Sequence, residues 1–456
     1  MIRTLIKGGT VITMEPGDNG ATALDILVED GRIAAIGDVD RIDGAVGGAD
    51  IIDATDRIVL PGLIDSHVHT WQTGLRGIAG DWTVPQYMRA MHRGLATYFR
   101  PEDIYIANLI GALSKLDAGI TTLVDWCHNN PTPDHTDAAI DGLAESGARA
   151  LFLHGSPKPD PGPGQKHFSE TPMPRSEIER LRSGRLANDD ALVTMGLAVL
   201  GPQYSVYEVC EQDYRLAREF GLISSAHTAG GPMLAPGTYE KLIDLGLIDS
   251  RCNIVHANNF EDDLVKALVD AGASFTVTAD VEMQMGFGYP LTGRLRALGA
   301  PMTIGADVEP AVSGDMFGAM RLTMNVQRNI DNLAAIDRGD ELPDTATITC
   351  REALEWVTVN GARMMKAEDR LGSLAPGKQA DIILLRTDDL NLFPVNNAVN
   401  AVVRHAVPGN VETVMVAGNI VKRDGKLLFG DIKAKKNALL ESGRRILSDV
   451  GLPTEA

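Results

Sequence analysis

The stretch Leu60-Pro61-Gly62-Leu63-Ile64-Asp65-Ser66-His67-Val68-His69 is an apolar run that ends in two histidines one residue apart. In an extended strand, residues i and i+2 point to the same side. His67 and His69 therefore face one way together, and two imidazoles so placed can share a cation. Outward from this stretch the pattern repeats. Apolar strand-like runs at Val59–Ile64, Ile120–Val124, Ala148–Leu153, Ala191–Ala198, Leu222–Ser225, Asn253–Val255, Ser274–Val277 and Met302–Ile304 alternate with amphipathic stretches. Those stretches include Pro101–Ala118, Ser205–Phe220, Tyr239–Leu245, Glu261–Ala271 and Leu291–Leu298. Strand-then-helix alternation argues for βα units on a parallel sheet. Eight such units in roughly 300 residues predict an α/β fold, a closed (β/α)8 TIM barrel. A doubly wound open sheet would want a glycine-rich phosphate loop after its first strand, and none is visible there.

The two ends of the chain are β-rich instead. Thr4–Lys7, Thr10–Thr13, Asp25–Val28 and Arg32–Ala35 read as short strands, with a turn at Glu29-Asp30-Gly31. Ala380–Leu385, Val399–Arg404 and Thr413–Val416 read the same way, with a turn at Ala417-Gly418-Asn419. The expected organisation is one small β-sandwich module, residues 1–57 and 371–431, interrupted by a metal-dependent barrel at 58–370. Residues 432–456 read as a C-terminal helix and tail. Between Gly155 and Pro174 the chain is dense in proline and glycine. That insertion follows the third strand, on the active-site end of such a barrel, and reads as a lid, an entrance loop or a passive surface loop.

Composition narrows the partners. Lys plus Arg is 42 against 61 for Asp plus Glu, a net charge of −19. Such a surface repels phosphate backbones, so nucleic acid is excluded as a partner; it favours solubility and says little about a small-molecule substrate. No apolar run is long enough to span a bilayer, and no signal-peptide pattern follows Met1, so the expectation is a soluble cytoplasmic protein without a membrane partner. Cys127, Cys210, Cys252 and Cys350 are far apart and suggest neither disulfides nor a thiolate zinc site.

Three further candidate ligands fall at strand ends. The fifth strand runs into His227, the sixth into His256 and the eighth into Asp307. Functional residues of TIM barrels sit at this C-terminal end. Three histidines and one aspartate would hold one divalent ion. Imidazole and carboxylate suit zinc, iron, manganese or cobalt. A bound divalent ion lowers the pKa of its water towards roughly 7. Asp307 can also accept that water's proton. His256 reads as a catalytic group that orients the nucleophile or polarises the substrate, or as a further ligand.

At these residues the chain resembles the amidohydrolase superfamily. Pro61-Gly62-Leu63-Ile64-Asp65-Ser66-His67-Val68-His69 is similar to that family's first-strand signature. Leu371-Gly372-Ser373-Leu374-Ala375-Pro376-Gly377-Lys378-Gln379-Ala380-Asp381 is similar to its return into the β-module. The order His67, His69, His227, His256, Asp307 also matches, and the resemblance covers nearly the whole chain. Trp71-Gln72-Thr73-Gly74-Leu75-Arg76-Gly77 resembles the stretch after the histidine pair in the cytosine-deaminase-like and ATZ/TRZ chlorohydrolase-like groups. The resemblance implies His67, His69, His227 and Asp307 as ligands of one ion per chain, with zinc the first expectation. Binuclear relatives usually need a carbamylated lysine at the end of strand four. Here that strand runs into Gly201-Pro202-Gln203-Tyr204, and Lys158 comes after strand three. A homo-oligomer, dimer or larger, is also implied.

The resemblance implies hydrolysis of a C–N bond in a small molecule: an amide, urea, carbamate or aminated N-heterocycle. The chain departs from it in two respects, after the strand-five histidine and after strand seven, where Thr278–Gly286 stands in place of the Pro-x-Ser-Asn sequence that relatives often have. Deaminase-like groups usually carry a proton-shuttling glutamate three residues after the strand-five histidine, and here that position is Gly230. Glu282, in Thr278-Ala279-Asp280-Val281-Glu282-Met283-Gln284-Met285-Gly286, is the candidate to take over that role. With it the alternative is a heterocycle deaminase or dechlorinase of the triazine or pyrimidine type. A non-catalytic barrel would show no metal or no turnover. Trp71, Gln72, His128 and His154 are candidate substrate contacts. His92, His167 and His405 read as surface or structural. Met283, Met285 and Phe287 read as a pocket wall or simple core.

Overall fold

The computed structural model describes residues 3–18, 20–38 and 47–452. Eight parallel strands follow one another around a single sheet in chain order: Leu63–Val68, Ile120–Cys127, Arg149–Gly155, Val193–Val199, Ser224–Thr228, Cys252–His256, Ser274–Val277 and Met302–Ile304. Strands buried on both faces read as continuous apolar runs, which is why they stand out in the sequence. The eighth unit returns to the first and nearly closes the barrel. Val68 pairs with Asp307, the Asp307 N–H donates to the His67 carbonyl at 2.8 Å, and the His69 N–H donates to the Asp307 carbonyl at 3.1 Å. Gly305 makes that approach feasible, because a Cβ there would lie 2.6 to 2.7 Å from His67.

The run Val59–Ile64 is not one strand. It divides at Gly62, between Arg57–Pro61 and Leu63–Val68. The first half belongs to a mixed sheet that both chain ends build, in the order Lys426–Leu427, Asn419–Arg423, Val411–Val416, Ile382–Arg386, Arg57–Pro61, Arg3–Val11, Thr22–Glu29, Arg32–Gly37. Asp50–Asp53 adds to Arg3–Val11 in parallel. Ile6, Val28, Ile33, Val59, Ile382, Leu384 and Met415 share its core, so residues more than 300 positions apart bury one another. One expected strand is a helix. Val399–Arg404 falls within helix Ala398–Arg404, where the Asn397 side chain caps the Asn400 N–H at 2.9 Å. The β-branched valines suggested a strand, but the cap and the spacing of Ala398, Ala401 and Val402 on one face decide for helix.

The described residues fall into two compact units. One holds residues up to 65, 113–122 and 315–429, including the mixed sheet; the other holds 66–112, 123–314 and those from 430. No described helix is long and apolar enough to cross a membrane.

Candidate metal centre and active site

His67, His69, His227 and Asp307 converge, all buried, with their ligand atoms within 4.8 Å of one another. His227 Nε2 lies 3.0 Å from His67 Nε2. Asp307 Oδ1 lies 3.4 Å from His67 Nε2 and 3.2 Å from His69 Nε2. A tetrahedral site with ligands about 2.0–2.1 Å from its ion has ligand–ligand edges of about 3.3 Å. The donor atoms therefore fit a divalent metal.

Electrostatics agrees with the geometry. Burial pushes the His67 imidazolium down to about 4. Burial and the neighbouring imidazoles hold His227 well below its ordinary value. Burial alone would raise the Asp307 carboxyl, but the hydrogen bonds and charges of the surrounding histidines keep it well below the usual carboxylate range. Neutral imidazoles and an ionised carboxylate are the forms that bind a metal. His69 is oriented from behind, because its Nδ1–H donates to the Trp126 carbonyl at 2.6 Å and leaves Nε2 for the cluster.

His256 stands beside this group, with Nε2 3.7 Å from Asp307 Oδ2. The backbone is left-handed at His256 (φ 72°), Ala257 (φ 59°) and Asp307 (φ 64°). Non-glycine residues adopt that region rarely, and such strain concentrates at functional sites. Glu282 sits behind His256 and not in the cavity. It lies on the short helix Ala279–Met285, fully buried, with its carboxylate 3.3 Å from His256 Nδ1. It also accepts from the Thr278 N–H at 2.8 Å and from Asn258 Nδ2 at 3.0 Å. At Gly230 space is already taken, since a Cβ would lie 3.1 Å from Asn259 Nδ2 and 3.3 Å from the Gly286 carbonyl.

The cluster opens onto a cavity of about 420 Å³. His128 lines it, as do Met285 and Phe287, while Met283 is exposed. Trp71 and Gln72 stand one layer back: the Trp71 indole N–H donates to His128 Nδ1 at 3.3 Å, and Gln72 Nε2 donates to the Tyr87 hydroxyl at 2.7 Å. His154 is buried elsewhere, 3.5 Å from Thr136 Oγ1, and does not line the cavity. His92 is neither on the surface nor remote. It is buried, lines the cavity and meets His128 Nε2 at 3.2 Å. Tyr87, Lys158 and Tyr204 complete the wall, and sequence reasoning assigned none of them to it. Lys158 had a signal, because it lies in the proline- and glycine-dense insertion. Tyr87 and His92 had none, as their short helical turns carry no periodicity.

Fold and site together define a barrel hydrolase with a histidine–aspartate metal cluster. The chain belongs to the amidohydrolase family, whose model matches residues 58–241 and 288–421. It is thus an enzyme acting on carbon–nitrogen bonds other than peptide bonds. It is 27% identical to a 5-methylthioadenosine/S-adenosylhomocysteine deaminase of Caldicellulosiruptor saccharolyticus over 94% of this chain and 95% of the relative. Among solved structures it is similar to an adenosine deaminase from Xanthomonas campestris with bound zinc, at TM-score 0.81 and 21% identity, over 98% of this chain and 99% of the other. It is equally similar to a zinc-complexed atrazine chlorohydrolase of Arthrobacter aurescens, at TM-score 0.81 and 21% identity, over 97% and 100%. These structural likenesses establish the fold.

Proposed function

We propose that this enzyme is a zinc-dependent deaminase of an aminated N-heterocycle. The observation that carries the reading is the His67, His69, His227 and Asp307 cluster at the floor of a cavity walled by imidazole and aromatic rings. The deaminase relative supports the leaving group. His67, His69, His227 and Asp307 would hold a single ion. Zinc, when bound, supplies a Lewis acid that makes a water nucleophilic near neutral pH.

The chain's own groups supply the proton traffic. Asp307 is ionised and accepts a proton at its carboxylate. His256 faces the same carboxylate and passes a proton towards the leaving nitrogen. Glu282 acts through His256: its carboxylate takes the Nδ1–H and fixes which ring nitrogen faces the cavity. Trp71 and Gln72 position His128 and Tyr87 in the wall. The proposal includes a cytoplasmic homo-oligomer, dimer or larger, which light scattering on the purified protein tests for assembly.

Metal analysis and a turnover panel test the reading. About one zinc per chain and ammonia release from an aminated purine, pyrimidine or triazine are expected. Two metals per chain would overturn the mononuclear site. Release of chloride from chlorotriazines, or turnover only of amides, ureas or carbamates, would replace deamination. Glu282→Gln should lower kcat about a hundredfold with metal content unchanged, and near-normal kcat would remove Glu282 from the mechanism.

A further inference from the structure

Lys158 is an anomaly of the cavity wall. Its side chain is 4% exposed. Lysine is almost never that buried unless paired. Among the described residues it has no carboxylate in ion-pairing range and no hydrogen-bond acceptor. It meets only ring faces: Nζ is 4.5 Å from the Tyr204 ring centre and 5.5 Å from that of Trp126. Cation–π contact of this kind offsets part of the loss of water, on the order of 1–2 kcal/mol, against several for a buried charge. The protein therefore leaves a donor in the cavity that nothing among the described residues satisfies.

We propose that Lys158 is a substrate anchor that pairs with an anionic group, of the carboxylate class, carried by the heterocycle beside its reacting carbon. This rests on the reading of the cavity as a substrate site. The charge balance of the cavity favours it. Asp307 is the one carboxylate among the described residues that line the wall. A divalent ion there would more than offset that one negative charge, so the occupied cavity would be positive although the chain carries −19 overall. Burial also pushes the Lys158 ammonium down to about 7, so an arriving anion recovers an interaction that the empty cavity lacks. Lys158 belongs to the insertion after the third strand, so this loop sets substrate charge while the strand ends carry the chemistry.

The test is binding, so it does not depend on turnover. Nicotinate and nicotinamide, one ring bearing a carboxylate or its neutral amide, are titrated by calorimetry into the purified metal-loaded enzyme. The wild type should bind nicotinate at least tenfold more tightly. Lys158→Met should abolish that preference, with Lys158→Gln as a second variant of similar length should the first not fold. A preference that survives both substitutions places the anion on the metal and overturns the proposal. So does equal binding of the two ligands, or binding of neither. If the preference is found and no amine is released from any heterocycle, the anchor stands and deamination falls.

Discussion

Two buried lysines are treated in opposite ways. Lys115, on helix Pro101–Asp117, is fully buried and its Nζ sits 3.0 Å from Asp65, the aspartate of the first-strand signature. Lys158 is almost as buried, but faces aromatic rings and an open cavity. The first is an ion pair completed by the fold. The second is half of one, with its partner left to a ligand. Burial alone therefore does not distinguish structure from function; what separates them is whether the chain itself satisfies the charge.

This contrast can be broken by experiment. The largest effect is expected at Lys115→Met, which leaves Asp65 in the interior without its cation. About 3–5 kcal/mol of stability should be lost, read by urea denaturation; a loss below 1 kcal/mol would show that the pair is dispensable. Lys158→Met should do the reverse and stabilise the free enzyme. The Lys158 pKa of about 7 lies below the value near 10.4 of an unfolded lysine. Between those values the folded chain binds fewer protons than the unfolded one, so stability rises with pH there. Below pH 7 the cost of burying the cation is fully present. Lys158→Met should thus gain roughly 1–3 kcal/mol at pH 6, shrinking towards pH 10, as followed by melting across that range. A gain that does not change with pH would point to packing instead of charge. The smallest effect marks the exposed limit. Lys266 pairs with Asp270 one helical turn away in solvent, and Lys266→Ala should change stability by no more than about 0.5 kcal/mol. A larger loss would show that pairing matters here without burial.

The same distinction runs through the proposed site. His256 and Asp307 hold left-handed backbone at strand ends, and Glu282 is buried solely to face His256 and its neighbours. None of this improves the core. The mixed sheet, by contrast, buries Ile6, Ile382 and Leu384 among apolar neighbours, and no comparable cluster of metal-ligating side chains occurs in it among the described residues.

Much of this was legible before the fold was seen. Buried parallel strands leave continuous apolar runs, and Ser274–Val277 and Met302–Ile304 appear in the structure with the bounds read from sequence. His227 and His256, at the ends of the fifth and sixth strands, and Asp307, just beyond the eighth, could be named because a barrel collects strand ends on one face. Local patterns could not divide Val59–Ile64 at Gly62, nor make Val399–Arg404 a helix, because pairing partners and a cap decide those cases.

The sequence by itself determined the barrel and the identity of the candidate ligands, since periodicity and strand-end position are properties of neighbours along the chain, and it pointed to the family through the resemblance of Pro61–His69 and Leu371–Asp381. Only the tertiary structure decided that Glu282 reaches His256 instead of the cavity, that His154 stays away, and that His92, Tyr87, Tyr204 and Lys158 complete the wall. Those side chains meet through loops and short turns whose paths are set by distant packing, and burial of an unsatisfied charge is visible only once everything around it is in place.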